Sequence, residues 1–350
     1  MKNPPIFDGH NDVLTRLYEN GGLSQVPGFI TGQEGHINLP KAKAGGLAGG
    51  FFAVWIPPIE DLGNIIDQME TPPYDLPLPA MIPQADALQV AMAQIAILNR
   101  LETHGAVQIC TYVDGIEHCM EHGEKLAAIL HMEGAEAIDR DFHVLDVLWR
   151  AGLRSLGPVW SRNTIYAEGV PFRFPSGPDI GGGLTEDGKR LIKKCNELGI
   201  LVDLSHLNEA GFWDVARLSD APLVATHSNA HALCPHARNL TDKQLGAIAE
   251  SDGMVGLNFA AAFLRDDGRM NPDIPMARVL EQLDYLVEHL GEDRVGLGSD
   301  FDGATVPDVI SDASGLPALR SAMIEHGYTE TLIEKICYRN WMRVLRKTWK

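Results

Sequence analysis

Residues 6–14 read IFDGHNDVL, placing Asp8, His10 and Asp12 at every second position directly behind an apolar start. Side chains alternate faces along a strand, so these three share a side, and a strand ending near residue 10 projects the last two from its C-terminal end. Seven further apolar runs close the same way, each on a polar or glycine-rich stretch: GLAGGFFAVWI (46–56), LAAILHMEG (126–134), LRSLGPVWS (153–161), ILVDLSH (200–206), PLVATHS (222–228), GMVGLNF (253–259) and RVGLGSDFD (294–302). Longer segments with helical periodicity separate them. One spans 84–104, with Leu88, Met92, Ile95, Leu98 and Leu101 on one face; 186–198 is entered by Thr185 as N-cap, and 275–291 closes on Gly291. Strands alternating with helices imply a parallel sheet, and eight strand candidates favour an α/β (β/α)8 TIM barrel over an open sheet. VQICTYVDG (107–115) reads as a ninth strand, so the count alone does not decide the closure.

The 350 residues fit one barrel domain spanning 1–350. Two Pro- and Gly-rich stretches, 57–83 and 168–183, are too long for plain barrel connections and read as loop insertions or lids. A hydrophobic fraction of 45%, with no apolar run near the roughly 18 residues of a membrane span, indicates a soluble protein. The net charge of −18 argues against nucleic acid and anionic membrane as partners. Five cysteines, odd in number and without CxxC spacing, indicate neither a disulfide framework nor a thiolate metal site. With no apolar segment behind the first residues to serve as a leader, a cytoplasmic setting is expected.

Ionisable groups recur at the ends of the strand candidates: His10 and Asp12, then Glu133, His206, His227 and Asp300. A barrel delivers such positions to one rim, where barrel enzymes keep their chemistry. Burying carboxylates and imidazoles together is costly unless a cation compensates them, and a mixed His/Asp/Glu set suits zinc or another borderline divalent metal. Each residue alone has a plainer role. A histidine behind an apolar run is more often a packed or surface residue, Asp-Gly makes turns, and Asp300 with Asp302 could cap a helix. Coincidence of position is what favours a metal centre.

The sequence resembles the membrane (renal) dipeptidase family, peptidase family M19, among the amidohydrolase-like metal-dependent barrels. The likeness is carried by DGHND (8–12), MEG (132–134), GLTEDGKRLIKKCNELGILVDLSH (183–206), THSNA (226–230), ARNLTD (237–242), GLGSDFDG (296–303) and NWMRVL (340–345). The resemblance implies a zinc-dependent dipeptidase with two zinc ions, His10 and Asp12 on one, His206 and His227 on the other, and Glu133 bridging both. It further implies Arg238 as the group binding the substrate carboxylate, Asp300 as the proton-transfer group, tolerance of a D-residue at the C-terminal position, and a homodimer. Two zinc ions roughly 3.5 to 4 Å apart share a water and lower its pKa towards neutrality. A guanidinium suits a bidentate grip on a free carboxylate, which selects dipeptides, although an isolated Arg is by default a surface ion pair.

The family pattern departs at VWSRN (159–163), where Trp160 stands in place of a histidine that binds the developing oxyanion. Losing such a donor costs on the order of 100- to 1000-fold in turnover where nothing replaces it. Either the Trp160 ring N–H or Arg162 could supply one. Asn258, ending another strand candidate, is a further substrate-facing residue; His131 is either a packed core histidine or a partner of a ligand. Two rival functions follow: a related amidohydrolase acting on N-acyl amino acids or another small amide, and a metal-binding barrel protein without turnover.

Overall fold

The computed structural model describes residues 3–60 and 65–350. Eight parallel strands form the central sheet: β1 (Ile6–Asn11), β2 (Leu47–Trp55), β3 (Leu126–Glu133), β4 (Leu153–Gly157), β5 (Leu201–Val202), β6 (Val224–Ala225), β7 (Met254–Leu257) and β8 (Val295–Leu297). Their spatial order is β5-β4-β3-β2-β1-β8-β7-β6, so β5 and β6 are the two free ends. A parallel bridge from Asp203 to Val224 joins those ends, reinforced by the Leu204 N–H donating to the Val224 carbonyl at 2.9 Å. The sheet thereby closes into the expected α/β barrel.

The ninth candidate is real but does not enlarge the barrel. Val107–Ile109 pairs with the first residues of β3 (Leu126 to Ala128), while β4 pairs with the later ones (Leu130 to Glu133). β3 is long enough for its lower part to carry this extra strand.

Chain sense and periodicity set the helices around it. Gln84–Thr103 forms α2, following α1 (Val13–Glu19). Its buried face runs through Ala87, Ala91, Gln94, Ile95, Leu98 and Leu101; Met92, expected on that face, is exposed, and Leu88 is half-buried. The buried face thus mixes small alanines with Ile95, Leu98 and Leu101. Glu186–Leu198 (α3) begins as expected, with Thr185 Oγ1 accepting from the Gly188 N–H at 3.0 Å. Met276–Leu290 (α4) ends at Gly291, whose φ of 80° favours glycine.

The barrel interior is filled at its lower end from outside the strands. Trp341, on the C-terminal helix α5 (Asn340–Thr348), is fully buried against Phe51 and donates its indole N–H to the Leu297 carbonyl at 3.1 Å. Gly9 makes room for it: a Cβ there would stand 2.4 Å from both the Trp341 ring and the Thr226 carbonyl. With one end plugged, the C-terminal mouth is where polar side chains can gather.

The two Pro/Gly-rich insertions fold together over that mouth. Tyr74–Asp75 pairs antiparallel with Arg173–Phe174, and the Tyr74 hydroxyl donates to the Gly268 carbonyl at 2.7 Å. Part of the first insertion, residues 61–64, lies outside the described residues.

Candidate metal centre and active site

β1 delivers His10, and the chain turns immediately into α1, so Asp12 sits at the helix entrance beside it. Glu133 is the last residue of β3. His206 and His227 follow the short strands β5 and β6. All five are buried, and they converge on one point. Glu133 Oε1 lies 3.1 Å from His206 Nε2, 3.4 Å from His227 Nε2 and 3.6 Å from His10 Nε2. His10 Nε2 is 3.3 Å from Asp12 Oδ2, and the Nε2 atoms of His206 and His227 face each other at 3.2 Å.

Burial pushes the Glu133 carboxyl well above the carboxylate range. It pushes His206 and His227 well below theirs, with Arg238 and His10 acting the same way. His10 is also buried, but Glu133 and Asp12 hold its pKa up at about 10. Neither ring nitrogen of His10 has a hydrogen-bond partner among the described residues. Among the groupings of donor atoms that could hold a metal ion, two contain Glu133, His10/Asp12/Glu133 and Glu133/His206/His227, and both combine hard oxygen with borderline nitrogen donors.

Backbone strain concentrates here. His206 (φ 65°), Asp300 (φ 60°) and Asp302 (φ 70°) are non-glycine residues in the left-handed region. Asp300, beyond the end of β8, comes within ligand distance of His10 and His227. Burial raises its pKa, against the pull of His10. Asp302, by contrast, is occupied structurally, pairing with Arg16 Nε at 3.0 Å and accepting from the His36 N–H at 2.6 Å. Asp8 shares the β1 face yet is no part of the cluster. It accepts from the Ser299 N–H and hydroxyl at 2.6 and 2.9 Å, tying β1 to the exit of β8, and burial raises its pKa to about 7.

A cavity of about 540 Å3 opens over the cluster, lined by Asp12, Glu133, His206 and Asp300 and walled by Trp160 and Phe172. Trp160 therefore faces the cavity as expected, its ring 5.8 Å from that of His206. Arg162 does not reach this space. It is fully buried behind Trp160, giving its Nε and Nη2 to Glu136 Oε1 at 2.9 and 2.7 Å and Nη2 to the Ile56 carbonyl. Asn258 is buried outside the cavity wall and donates from Nδ2 to Asp300 Oδ2 at 2.9 Å, so it acts on Asp300 instead of facing the cavity. Arg238 is also buried behind the wall, its guanidinium 5.5 Å from the Phe263 ring centre, with Nη1 on Ser228 Oγ, Nη2 on the His227 carbonyl and Nε without an acceptor among the described residues.

Sequence reading did not find the hydroxyls behind the ligands. Ser161 Oγ contacts His206 Nδ1 at 2.8 Å, and Thr226 Oγ1 contacts His227 Nδ1 at 2.9 Å. Both stand beside residues already singled out, but hydroxyls next to histidines carry no pattern of their own. His131 proves to be buried beneath the cluster, on Ser155 Oγ through Nδ1, its ring edge-on to His10.

Known proteins share this fold. A metallopeptidase from Rhodobacter sphaeroides, solved with a phosphinate mimic of the dipeptide L-Ala-D-Ala, is 52% identical and superposes with a TM-score of 0.96 over 99% of this chain and 100% of its own. A dipeptidase AC of family M19 is 51% identical, with the same TM-score over 99% of both chains. An uncharacterized Klebsiella pneumoniae protein from the pqqA 5′ region is 46% identical over 76% of this chain and 98% of its own length. The family model described as membrane dipeptidase (peptidase family M19) matches residues 1–350, and the chain accordingly belongs to that family as a metallodipeptidase.

Proposed function

We propose that the protein is a zinc-dependent dipeptidase holding two zinc ions, with His10 and Asp12 on one, His206 and His227 on the other, and Glu133 across both. The observation that carries this reading is the position of Glu133 Oε1, within 3.6 Å of the Nε2 atoms of three histidines that come from different strand ends. A bridging carboxylate is the arrangement that serves two cations at once. When bound, the ions supply Lewis acidity at the peptide carbonyl and an acidified water.

The chain's own groups do the rest. Asp300, with Oδ2 held by Asn258, keeps Oδ1 to take the proton from the attacking water and return it to the departing amine. Arg238 holds the substrate's free carboxylate. Arg16 is paired with Asp302 and Arg162 with Glu136, whereas Arg238, behind the Phe263 wall, has no carboxylate partner among the described residues. Trp160 shapes the wall against which the substrate packs. The whole chain acts as one catalytic barrel domain, and a cytoplasmic setting is supported by five free, buried cysteines. No described helix is long and apolar enough to cross a membrane.

The L-Ala-D-Ala mimic on a relative 52% identical supports dipeptides, including those with a D-residue at the C-terminal position, as substrates. Purified protein loaded with zinc and given L,L- and L,D-dipeptides alongside N-acyl amino acids tests the assignment. Turnover of the dipeptides is expected. Turnover of acyl amino acids with none of dipeptides would move the site to the N-acyl amidohydrolases, and absence of all turnover with both metals bound would leave a non-catalytic barrel.

A further inference from the structure

Asp203 is buried on the barrel seam and has four groups facing it. Its Oδ1 accepts from the N–H groups of Ser205 and Thr226 at 3.0 and 2.9 Å, its Oδ2 accepts from Thr226 Oγ1 at 2.5 Å, and His131 Nε2 stands 3.6 Å from Oδ2. A hydroxyl has one proton. Since Thr226 gives its proton to Asp203, its oxygen can only accept from His227 Nδ1, 2.9 Å away. We propose that Asp203, acting through Thr226, is a positioning residue that fixes His227 as the Nδ1–H tautomer and so turns the Nε2 lone pair towards Glu133 and His206. The inference rests on the two-metal reading of the site.

The two histidines of this proposed metal are held unequally. His206 Nδ1 meets Ser161 Oγ at 2.8 Å, and among the described residues no carboxylate stands behind that hydroxyl to dictate the direction of its proton. His227 is held by a hydroxyl whose orientation a carboxylate sets, the arrangement by which an outer partner orients a metal-binding imidazole and raises its basicity. The chain thus anchors one ligand of the pair rigidly.

Asp203 also takes part in barrel closure through its parallel bridge to Val224, so the test must separate orientation from fold. Metal-stripped wild type, Thr226→Val and Thr226→Ser are titrated with zinc against a chromogenic chelator, and the melting temperature of each stripped protein is measured. Thr226→Val is expected to weaken one of the two zinc-binding steps about 10- to 100-fold, leaving the other within about threefold, and Thr226→Ser to restore it. Asp203→Asn serves if the valine variant does not fold: an amide that donates to Thr226 Oγ1 reverses the hydroxyl and leaves His227 in the wrong tautomer, predicting the same single weakened step. Wild-type affinity in Thr226→Val overturns the proposal, as does an equal loss in Thr226→Val and Thr226→Ser. Failure of the wild type to bind two zinc ions overturns the two-metal reading instead.

Discussion

Arg162 and Glu136 are buried as a matched pair, whereas His10, Asp12, Glu133, His206 and His227 are buried as a group of acceptors pointing at one another. Both sets lie at the mouth of the same barrel, close to Trp160. In the pair, each charge meets its opposite at 2.7 Å and the requirement for a counterion is met within the protein. In the five-residue cluster burial keeps His206 and His227 from protonating and raises the Glu133 carboxyl, and of the three imidazoles only His10 is held protonated, by Glu133 and Asp12, so the donors are not paired one to one and suit an added cation. The contrast separates a charge pair that holds the fold from a set of donors that suits a cation. It predicts that breaking the pair damages stability, while breaking the cluster damages metal content and leaves the fold standing.

The largest effect should come from the cluster. Asp12→Ala is expected to reduce activity to background and zinc content from two ions to one, with the far-ultraviolet circular dichroism unchanged. Full turnover in that variant would show that the ligand set is wrong. Asp300→Asn comes next, since it removes the proposed proton-transfer group without removing a proposed ligand. A loss of about 10^2- to 10^4-fold in kcat with both zinc ions retained is expected, as for removal of a general acid–base group. Metal loss in Asp300→Asn would place that residue among the ligands.

The pair gives the opposite phenotype. Arg162→Ala leaves Glu136 buried without its counterion and is expected to lower the unfolding free energy by about 3 to 5 kcal/mol. Replacing both, as Arg162→Met with Glu136→Leu, should recover most of that loss, because what is costly is the uncompensated charge. Denaturant unfolding of the three variants measures it. A double variant no more stable than Arg162→Ala would mean that the pair does more than neutralise itself. Trp160 rests on Arg162, their centres 5.6 Å apart, so a shift of its fluorescence in Arg162→Ala reports the loosened cavity wall.

These two plans were unequally legible in the sequence. The cluster was visible because ionisable groups follow apolar runs at separate strands, a repeated local signal that the family resemblance sorted into proposed ligands. The runs overstated the strands themselves: ILVDLSH and PLVATHS yield only the two-residue β5 and β6, because the chain leaves the ladder where Asp203 binds the Thr226 backbone and His206 turns left-handed. The Arg162–Glu136 pair had no such signal. Two residues 26 positions apart meet only after β3 and β4 have been laid side by side, and Arg162 could as well have pointed into the cavity. Asn258 was visible as a strand end, but which neighbour it served depended on the strained turn at Asp300, 42 residues on. The joining of the two insertions through Tyr74–Asp75 and Arg173–Phe174 is likewise a meeting of segments that carry no complementary pattern.

The smallest effect is expected where matched charges lie at the surface. Asp252 meets Arg294, Arg343 and Lys347, and the Lys347 hydrogen bond, opposed by slight burial, lowers its pKa below the carboxylate norm of 3.8. A folded-state pKa below the unfolded one stabilises the protein above the unfolded pKa, and the contribution fades as the pH falls through the folded value. Because the side chain is about a third exposed, solvent screening should hold it to about 1 kcal/mol or less. Asp252→Asn isolates the charge, since asparagine tolerates the φ of 57° that this position requires. The difference in unfolding free energy between wild type and Asp252→Asn should be present at neutral pH, shrink with added salt, and vanish at a pH below the lowered pKa. A difference that persists at acid pH would assign the effect to the turn geometry and not to the charge, and the surface would then differ from the buried pair in kind as well as in size.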